Sequence, residues 1–120
     1  MNVNIQDMLG LVFVDVVNGG DVLLFTCEDG RKFEFYHAQD CCENVQIQDI
    51  AGDLQDLIGS PLLVASEEAG ETPADYTFEY RPESYTWTFY KFATLKGYVD
   101  VRWLGESNGY YSESVSLRSY

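Results

Sequence analysis

Residues 85–104, YTWTFYKFATLKGYVDVRWL, decide the predicted fold. They form two runs rich in aromatic and β-branched residues, which are typical of β-strands, with Lys96-Gly97 between them as a turn. A two-residue loop gives the hairpin one face made of Tyr90, Phe92, Thr94, Val99, Val101 and Trp103. The opposite face carries Trp87, Phe89, Lys91, Tyr98, Asp100 and Arg102. Because both faces hold large aromatics, the hairpin is either covered on both sides or displays an exposed aromatic surface.

A second hairpin is predicted nearer the N-terminus, by runs at residues 22–28 and 31–37 that flank Asp29-Gly30. An Asp-Gly loop of two residues is a strong short-range hairpin signal, and it would place Glu28 opposite Arg31. The core face of this hairpin would then carry Val22, Leu24, Thr26, Phe33, Phe35 and His37. A leading strand at residues 10–17 is expected before it.

The remaining segments complete a mainly β (α+β) prediction. Further strands are expected at residues 45–50, 62–66 and 110–117. Apolar residues spaced three and four apart predict one short helix near 53–58, and the whole set predicts one antiparallel sheet of seven or eight strands built from hairpins. We expect a single domain over residues 1–120, with 1–8 as a candidate flexible end and 67–75 as a mobile acidic loop.

The acidic charge is concentrated in the first two thirds of the chain. The 120 residues include 20 Asp and Glu against 7 Lys and Arg, a net charge of −13, yet residues 81–120 carry a net charge of +1. Between Phe33 and Tyr80 there are 11 carboxylates and no Lys or Arg. This distribution argues against nucleic acid or an anionic membrane as a direct ligand, because both need a clustered basic surface.

The compartment is predicted from what the sequence lacks. No apolar run approaches the roughly 20 residues that span a bilayer. Residues 1–7 have neither the basic start nor the apolar run of a signal peptide. We therefore expect a cytoplasmic protein that is not associated with a membrane.

The acidic stretch supplies a candidate partner-binding surface. Carboxylates spaced along strands and a helix can imitate a row of phosphates and meet a basic partner. A solvated acidic face without a partner is the commoner alternative. The candidate residues are Asp40, Glu43, Asp49, Asp53, Asp56, Glu67 and Glu68.

The segment HAQDCCE, residues 37–43, carries the most reactive side chains. Imidazole and thiolate are zinc ligands, so His37, Cys41 and Cys42 are weak metal candidates, with a neighbouring Asp or Glu completing the shell. The alternative is structural, with His37 finishing a core face and one cysteine packing as a small hydrophobe. Adjacent cysteines make a poor disulfide framework, so free thiols are expected. The sequence carries no trusted catalytic signature, and we predict a non-enzymatic protein without a cofactor.

Residues 105–113, GESNGYYSE, offer a candidate recognition loop. Paired tyrosines beside polar side chains make good contact surfaces, but Asn-Gly is also turn chemistry, so a turn followed by a strand is the alternative. The candidate recognition residues are Glu106, Ser107, Asn108, Tyr110 and Tyr111. A second functional hypothesis is a nucleotide-binding or nucleotide-sequestering protein, in which aromatics stack a base and cations meet phosphates. It would use Trp87, Trp103, Tyr110, Tyr111, His37, Lys91 and Arg102.

The segments HAQDCCE and GESNGYYSE, together with residues 49–54, 58–61, 86–91 and 102–104, resemble a family of small uncharacterised proteins. These are encoded by tailed bacteriophages, prophages and some bacteria, and the resemblance covers roughly residues 9–117. It implies a phage origin and expression in the cytoplasm of a bacterial host. Small phage proteins of this type often bind and block a host factor or a defence nuclease.

The resemblance and the acidic stretch together give the leading functional hypothesis. We expect a non-enzymatic inhibitor that occupies a basic surface of a host or anti-phage defence protein, as a DNA mimic or an anti-CRISPR-like protein does. A metal-binding protein centred on the Asp-Cys-Cys-Glu segment and the nucleotide binder are the alternatives. A homodimer through an exposed strand edge or the aromatic hairpin stays open.

Overall fold

The computed structural model describes residues 3–120, which form eight β-strands and two single-turn 3₁₀ helices. The strands are β1 (Phe13–Asn18), β2 (Val22–Cys27), β3 (Lys32–Tyr36), β4 (Asn44–Ala51), β5 (Val64–Gly70), β6 (Ser84–Thr94), β7 (Gly97–Ser107) and β8 (Ser116–Ser119). The 3₁₀ turns are η1 (Ile5–Met8) and η2 (Leu54–Leu57). In this part of the chain no helix is long and apolar enough to cross a membrane.

The strands form two antiparallel sheets of four, which pack face to face. The first sheet has the order β1-β2-β3-β8 and the second the order β4-β7-β6-β5. The mainly β, antiparallel prediction is confirmed, whereas the single sheet of seven or eight strands is wrong. Ring centroids of Phe25 and Phe92 lie 5.0 Å apart in the core, and those of Phe35 and Tyr90 lie 4.8 Å apart. Two facing sheets bury such rings from both sides, which one open sheet does not.

The β6–β7 hairpin keeps its predicted faces although its turn lies one residue earlier. Residues 95–96 form the loop, and Thr94 pairs with Gly97. Moving the turn by one residue shifts the pairing by two, so every side chain stays on its predicted face. Trp103 is fully buried between the sheets, and Trp87 is only 1% exposed on the outer face. The inner face is therefore covered throughout, whereas the outer face is covered around Trp87 and leaves Lys91, Tyr98 and Asp100 exposed.

The β2–β3 hairpin departs from its predicted turn. Its loop has three residues, 28–30, and Gly30 adopts the left-handed region at φ +93°. Asp29 favours this loop because its carboxylate accepts the backbone N–H of Arg31 at 2.9 Å and the guanidinium Nε at 2.8 Å. The predicted pair between Glu28 and Arg31 is therefore wrong.

The extra loop residue exchanges the inward and outward faces of β2. Phe25 pairs with Phe33, and the buried side chains of β2 are Leu23, Phe25 and Cys27. Val22, Leu24 and Thr26, which were predicted to face the core, are the half-buried alternate residues. Phe33 and Phe35 of β3 are buried as predicted. Because side chains alternate along a strand, a slip of one residue exchanges the two faces completely.

The N-terminal segment, predicted as a candidate flexible end, contains a packed turn. Asn4 accepts the N–H of Gln6, and the carboxylate of Asp7 accepts the N–H of Asn4, so η1 is capped reciprocally. Met8 is fully buried, and Gln6 Nε2 donates to the carbonyl of Ala65 at 2.9 Å. The part of the prediction that concerns residues 1–2 lies outside the described residues.

Two predicted boundaries change. β5 continues to Gly70 because the long strand β6 pairs with it throughout, so the acidic loop starts after residue 70 and its mobility stays a prediction. The final strand, expected at 110–117, is instead β8. Residues 108–115 come before it because they carry the chain from the second sheet back to the first.

The helix predicted near 53–58 is present as the single turn η2. Asp53 caps it as predicted, since its carboxylate accepts the N–H of Gln55 at 2.9 Å. Leu57 is fully buried, so the apolar spacing in this segment reflects the packing of η2 against the core.

Candidate functional site

Two connections that cross between the sheets meet at one end of the molecule. Residues 37–43 join β3 to β4, and residues 108–115 join β7 to β8. His37 holds these crossing loops together, because its Nδ1 lies 2.7 Å from the carbonyl oxygen of Ser114. The region formed by the two crossing loops is named the crossing end below.

Glu43 organises the first crossing loop from the inside. Its carboxylate accepts the backbone N–H groups of Asp40, Cys41 and Cys42 at 2.5, 3.3 and 3.1 Å. It also lies 3.3 Å from His37 Nε2, and its side chain is 1% exposed. The N–H of Asp40 contributes most to holding the pKa of Glu43 below its usual range. Placing Glu43 on a partner-binding surface is therefore wrong, because its oxygens are occupied within the loop.

The candidate metal ligands are engaged in other contacts. Both ring nitrogens of His37 have hydrogen-bond partners. The turn around Glu43 brings the sulfurs of Cys41 and Cys42 together in a disulfide, so the prediction of free thiols is wrong for this pair, while Cys27 is a buried free thiol. A disulfide offers no thiolate to a zinc ion. Within residues 3–120, no group of three or more His, Cys, Asp or Glu side chains is placed to hold a metal ion.

Glu113 organises the second crossing loop in the way that Glu43 organises the first. Its carboxylate accepts the hydroxyl of Thr86 at 2.8 Å and also the hydroxyl of Ser107. Burial acts to raise the pKa of Glu113, but hydrogen bonds from Ser107, Ser84 and Thr86 outweigh it and hold the pKa below its usual range. Gly105 permits the close approach, because a Cβ there would lie 2.8 Å from Glu113 Cβ.

The predicted recognition residues divide into structural and exposed positions. Ser107 is nearly buried and donates within the loop, and Asn108 Oδ1 accepts the N–H of Tyr110 at 3.0 Å. Glu106 and Tyr111 are half-buried, whereas Tyr110 is 83% exposed. An open cleft of about 400 Å³ lies beside the loops, and its lining includes Cys42, Asn44, Glu83, Glu106 and Asn108.

A larger groove, of about 620 Å³, lies on the outer face of the second sheet. Two rows of paired residues cross the four strands beneath it. From β4 to β5, the first row is Asp49, Arg102, Phe89 and Glu68, and the second is Ala51, Asp100, Lys91 and Ser66. Small residues at both ends of the second row leave space above the sheet, and Pro73 adds to the lining. This cavity is named the outer groove below.

Arg102 is fixed in the outer groove by groups from two other segments. Its guanidinium donates to the two carboxylate oxygens of Asp75 at 3.0 and 3.3 Å and to Gln48 Oε1 at 2.5 Å. The Arg102 bond holds the pKa of Asp75 below its usual range. This contact fastens residues 71–83 over the outer face of the sheet, where two aromatic residues of this segment join two of β6 in one aromatic cluster. The cluster consists of Tyr76, Phe78, Tyr85 and Trp87.

One family model matches nearly the whole chain. The family model described as Domain of unknown function (DUF7448) matches residues 6–117, from η1 into β8. The chain belongs to the DUF7448 family. No curated protein and no solved structure matches it.

The predicted acidic residues of this DUF7448 protein do not share one surface. Asp49 and Glu68 line the outer groove from the two edge strands. Glu67 accepts the hydroxyl of Tyr90 at 2.8 Å, and burial, with the nearby Glu67 charge, raises the pKa of that tyrosine far above its usual range. Asp53 caps η2 at another point. Asp56 lies within η2, beside Gly97, whereas Asp40 lies apart from all of these in the first crossing loop.

The residues of the nucleotide hypothesis are also separated in the DUF7448 fold. Trp103 is fully buried between the sheets, and its Nε1 has no hydrogen-bond partner among the described residues. Trp87 lies on the opposite face of the same hairpin, within the aromatic cluster. Tyr110 belongs to the crossing end, and Arg102 is already held by Asp75. The structure therefore brings no base-stacking pair of tryptophans together.

Three carboxylates that matter here were not predicted as site residues. The alternation of the β6–β7 hairpin places Asp100 on the face of Lys91 and Arg102, so the sequence held a signal for its position in the outer groove. The sequence around Asp75 and Glu113 gave no such indication of where their side chains lie. Each makes its contact with a residue 27 positions away, and those contacts depend on how the loops fold back over the second sheet.

Proposed function

We propose that this DUF7448 protein is a non-enzymatic acidic binding protein, which occupies a basic surface of a partner protein. The observation that carries the proposal is an excess of uncompensated negative charge. Within residues 3–120, 15 of the 20 carboxylates have no Lys, Arg or His nitrogen within 4.0 Å. The five that do are Asp29, Glu34, Glu43, Asp49 and Asp75.

This excess favours a positively charged protein partner. Unpaired surface carboxylates sum to a negative potential that accelerates the encounter with a basic patch, and salt screens it. The chain's own cations do not cancel the potential, because 7 Lys and Arg face 20 Asp and Glu, and three of the seven, Arg31, Arg102 and Arg118, are already paired with carboxylates. The same charge disfavours a phosphate-rich ligand.

The finer part of the proposal concerns the biological partner. The resemblance to phage and prophage proteins supports a host or anti-phage defence protein as the target, in the cytoplasm of a bacterial host. Defence proteins that act on nucleic acid carry basic grooves, and carboxylates can compete with phosphates for such a groove. The protein would then inhibit its target as a DNA mimic or an anti-CRISPR-like protein does.

Affinity capture at stepped salt concentrations tests this function. The full chain is immobilised, exposed to a bacterial lysate and eluted with rising NaCl, and a polyglutamate resin serves as the control for non-specific charge. We expect a captured protein that is absent from the control, forms a defined complex with the purified chain and is displaced by duplex DNA. Binding that is weakened neither by salt nor by duplex DNA would contradict the proposal. A nucleotide found by mass spectrometry in the purified protein would also contradict it.

A further inference from the structure

We propose that the outer edge of β5, from Glu67 to Gly70, is a docking site for an extended basic segment of the partner. The segment would add to the second sheet as a further strand. β5 is the last strand of that sheet, and its strand neighbour within residues 3–120 is β6 alone. The positive charge of the occupant rests on the proposed function, whereas the free edge is a feature of the structure.

The backbone of β5 presents unpaired hydrogen-bonding groups at this edge. Gln6 Nε2 reaches the carbonyl of Ala65 at 2.9 Å, so the backbone groups of Ala65 point away from β6. These groups alternate along a strand, which directs those of Glu67 and Ala69 to the same side. Among the described residues neither makes a backbone hydrogen bond outside the β5–β6 pairing. The edge therefore offers two N–H and two carbonyl groups in the spacing that an added strand needs.

The side chains beside the edge favour a cation. Glu68 lines the outer groove and pairs across the sheet with Phe89. The Phe89 ring leans over Gly70, because a Cβ on that glycine would lie 2.8 Å from ring atom Cε2. The ring thus reaches the neighbourhood of the edge. An Arg or Lys on the groove side of an added strand would lie over the ring with the Glu68 carboxylate beside it.

The charge of the edge also selects against a second copy of this chain. Glu67, Glu68 and Glu71 place three carboxylates within five residues, and all three side chains are exposed. None of them has a cation within 4.0 Å in the described part of the chain. Two such edges would bring like charges opposite each other, which destabilises strand pairing. A basic strand meets the same charges favourably, so the partner's segment is the occupant.

Amide hydrogen exchange on the full chain tests the site directly. The probe is an eight-residue peptide of alternating Thr and Arg, and exchange is followed by NMR with and without it. In the free protein the amides of Glu67 and Ala69 face solvent, and we expect the peptide to slow their exchange by about tenfold or more. The amides of Ser66 and Glu68 belong to the β5–β6 pairing and serve as internal controls that are protected in both states.

Variants separate the backbone contribution from the charge. Ala69→Pro removes an edge N–H without removing a bond to β6, and we expect peptide affinity to fall by about tenfold. Glu68→Gln should weaken the peptide by about threefold. Glu28→Gln, the matched charge change in the β2–β3 loop, should leave the affinity unchanged. If Ala69→Pro does not fold, the exchange of Glu67 and Ala69 in the wild type decides the question.

Three results would overturn the docking site. They are unchanged exchange at Glu67 and Ala69, equal affinity for a peptide of alternating Thr and Glu, and a concentration-dependent dimer that protects these amides. A salt-sensitive partner complex that Ala69→Pro and Glu68→Gln leave intact would also reject the site while the proposed function stands. Conversely, protection by the Thr-Arg peptide without any partner that DNA displaces would keep the site and reject the proposed function.

Discussion

The crossing end and the edge of β5 use carboxylates in opposite ways. At the crossing end, Glu43 and Glu113 lie beneath the loops that they hold, and each accepts hydrogen bonds from two or more groups. Beside the edge of β5, Glu68 is exposed, and its carboxylate has neither a hydrogen bond nor a cation within 4.0 Å among the described residues. The same side chain therefore builds structure in one region and remains an available charge in the other. Removing it should be costly in the first region and harmless to folding in the second.

The largest effect is expected from Gly105→Ala, which would break the crossing end. The new Cβ would lie 2.8 Å from Glu113 Cβ and closer still to the Glu113 carbonyl oxygen, so the second crossing loop must move. Such overpacking against backbone should lower the free energy of unfolding by about 3 kcal/mol, measured by urea denaturation. Gly19→Ala is the control, because its Cβ would meet the Val22 carbonyl at 3.4 Å. Similar losses in both variants would contradict the tight approach at Gly105.

A matched pair of substitutions, one in each region, tests the same difference with an expected effect of intermediate size. Glu113→Gln replaces a carboxylate that accepts the hydroxyls of Thr86 and Ser107, and should lower the free energy of unfolding by about 1–3 kcal/mol. Glu68→Gln removes a charge without a partner and should change it by less than about 0.5 kcal/mol. Both are measured by urea denaturation at pH 7. Equal losses would show that the two regions do not differ in the way described.

The alternation of side chains made one hairpin predictable and the other not. In the β6–β7 hairpin, an error of one residue in the turn preserved both faces, so Phe92 and Val101 were correctly placed in the core. In the β2–β3 hairpin, one extra loop residue reversed β2 and put Phe25 inside instead of Leu24. The extra residue follows from the contact of Asp29 with Arg31, which a two-residue turn rule does not contain.

The two segments of the crossing end were singled out from the sequence, but the contact between them was not predicted. That contact joins His37 to the carbonyl of Ser114, the residue after the second segment, and holds HAQDCCE and GESNGYYSE near each other although the two residues are 77 positions apart in the chain. Whether a carboxylate in these segments faces solvent or a ring of N–H donors depends on that distant contact. Local composition therefore could not separate Glu43, which is enclosed, from Glu68, which is exposed. The division into two sheets was missed for the same reason, since crossing loops and hairpin loops look alike in composition.

The smallest expected effect is a pH dependence, which tests whether the crossing end needs Glu43 in its charged form. The N–H of Asp40 keeps the pKa of Glu43 below its ordinary value of 4.5 in the folded protein, so protonation favours the unfolded chain. The stabilising contribution of Glu43 is therefore complete above about pH 4.5 and is lost as pH falls through the lower folded value. In calorimetric scans from pH 7 to pH 3, we expect the melting temperature of the wild type to fall more steeply below this pH than that of Glu43→Gln. Glu68→Gln, whose carboxylate holds no loop, should keep the wild-type slope, and an unchanged slope in Glu43→Gln would mean that the first crossing loop does not depend on its charge.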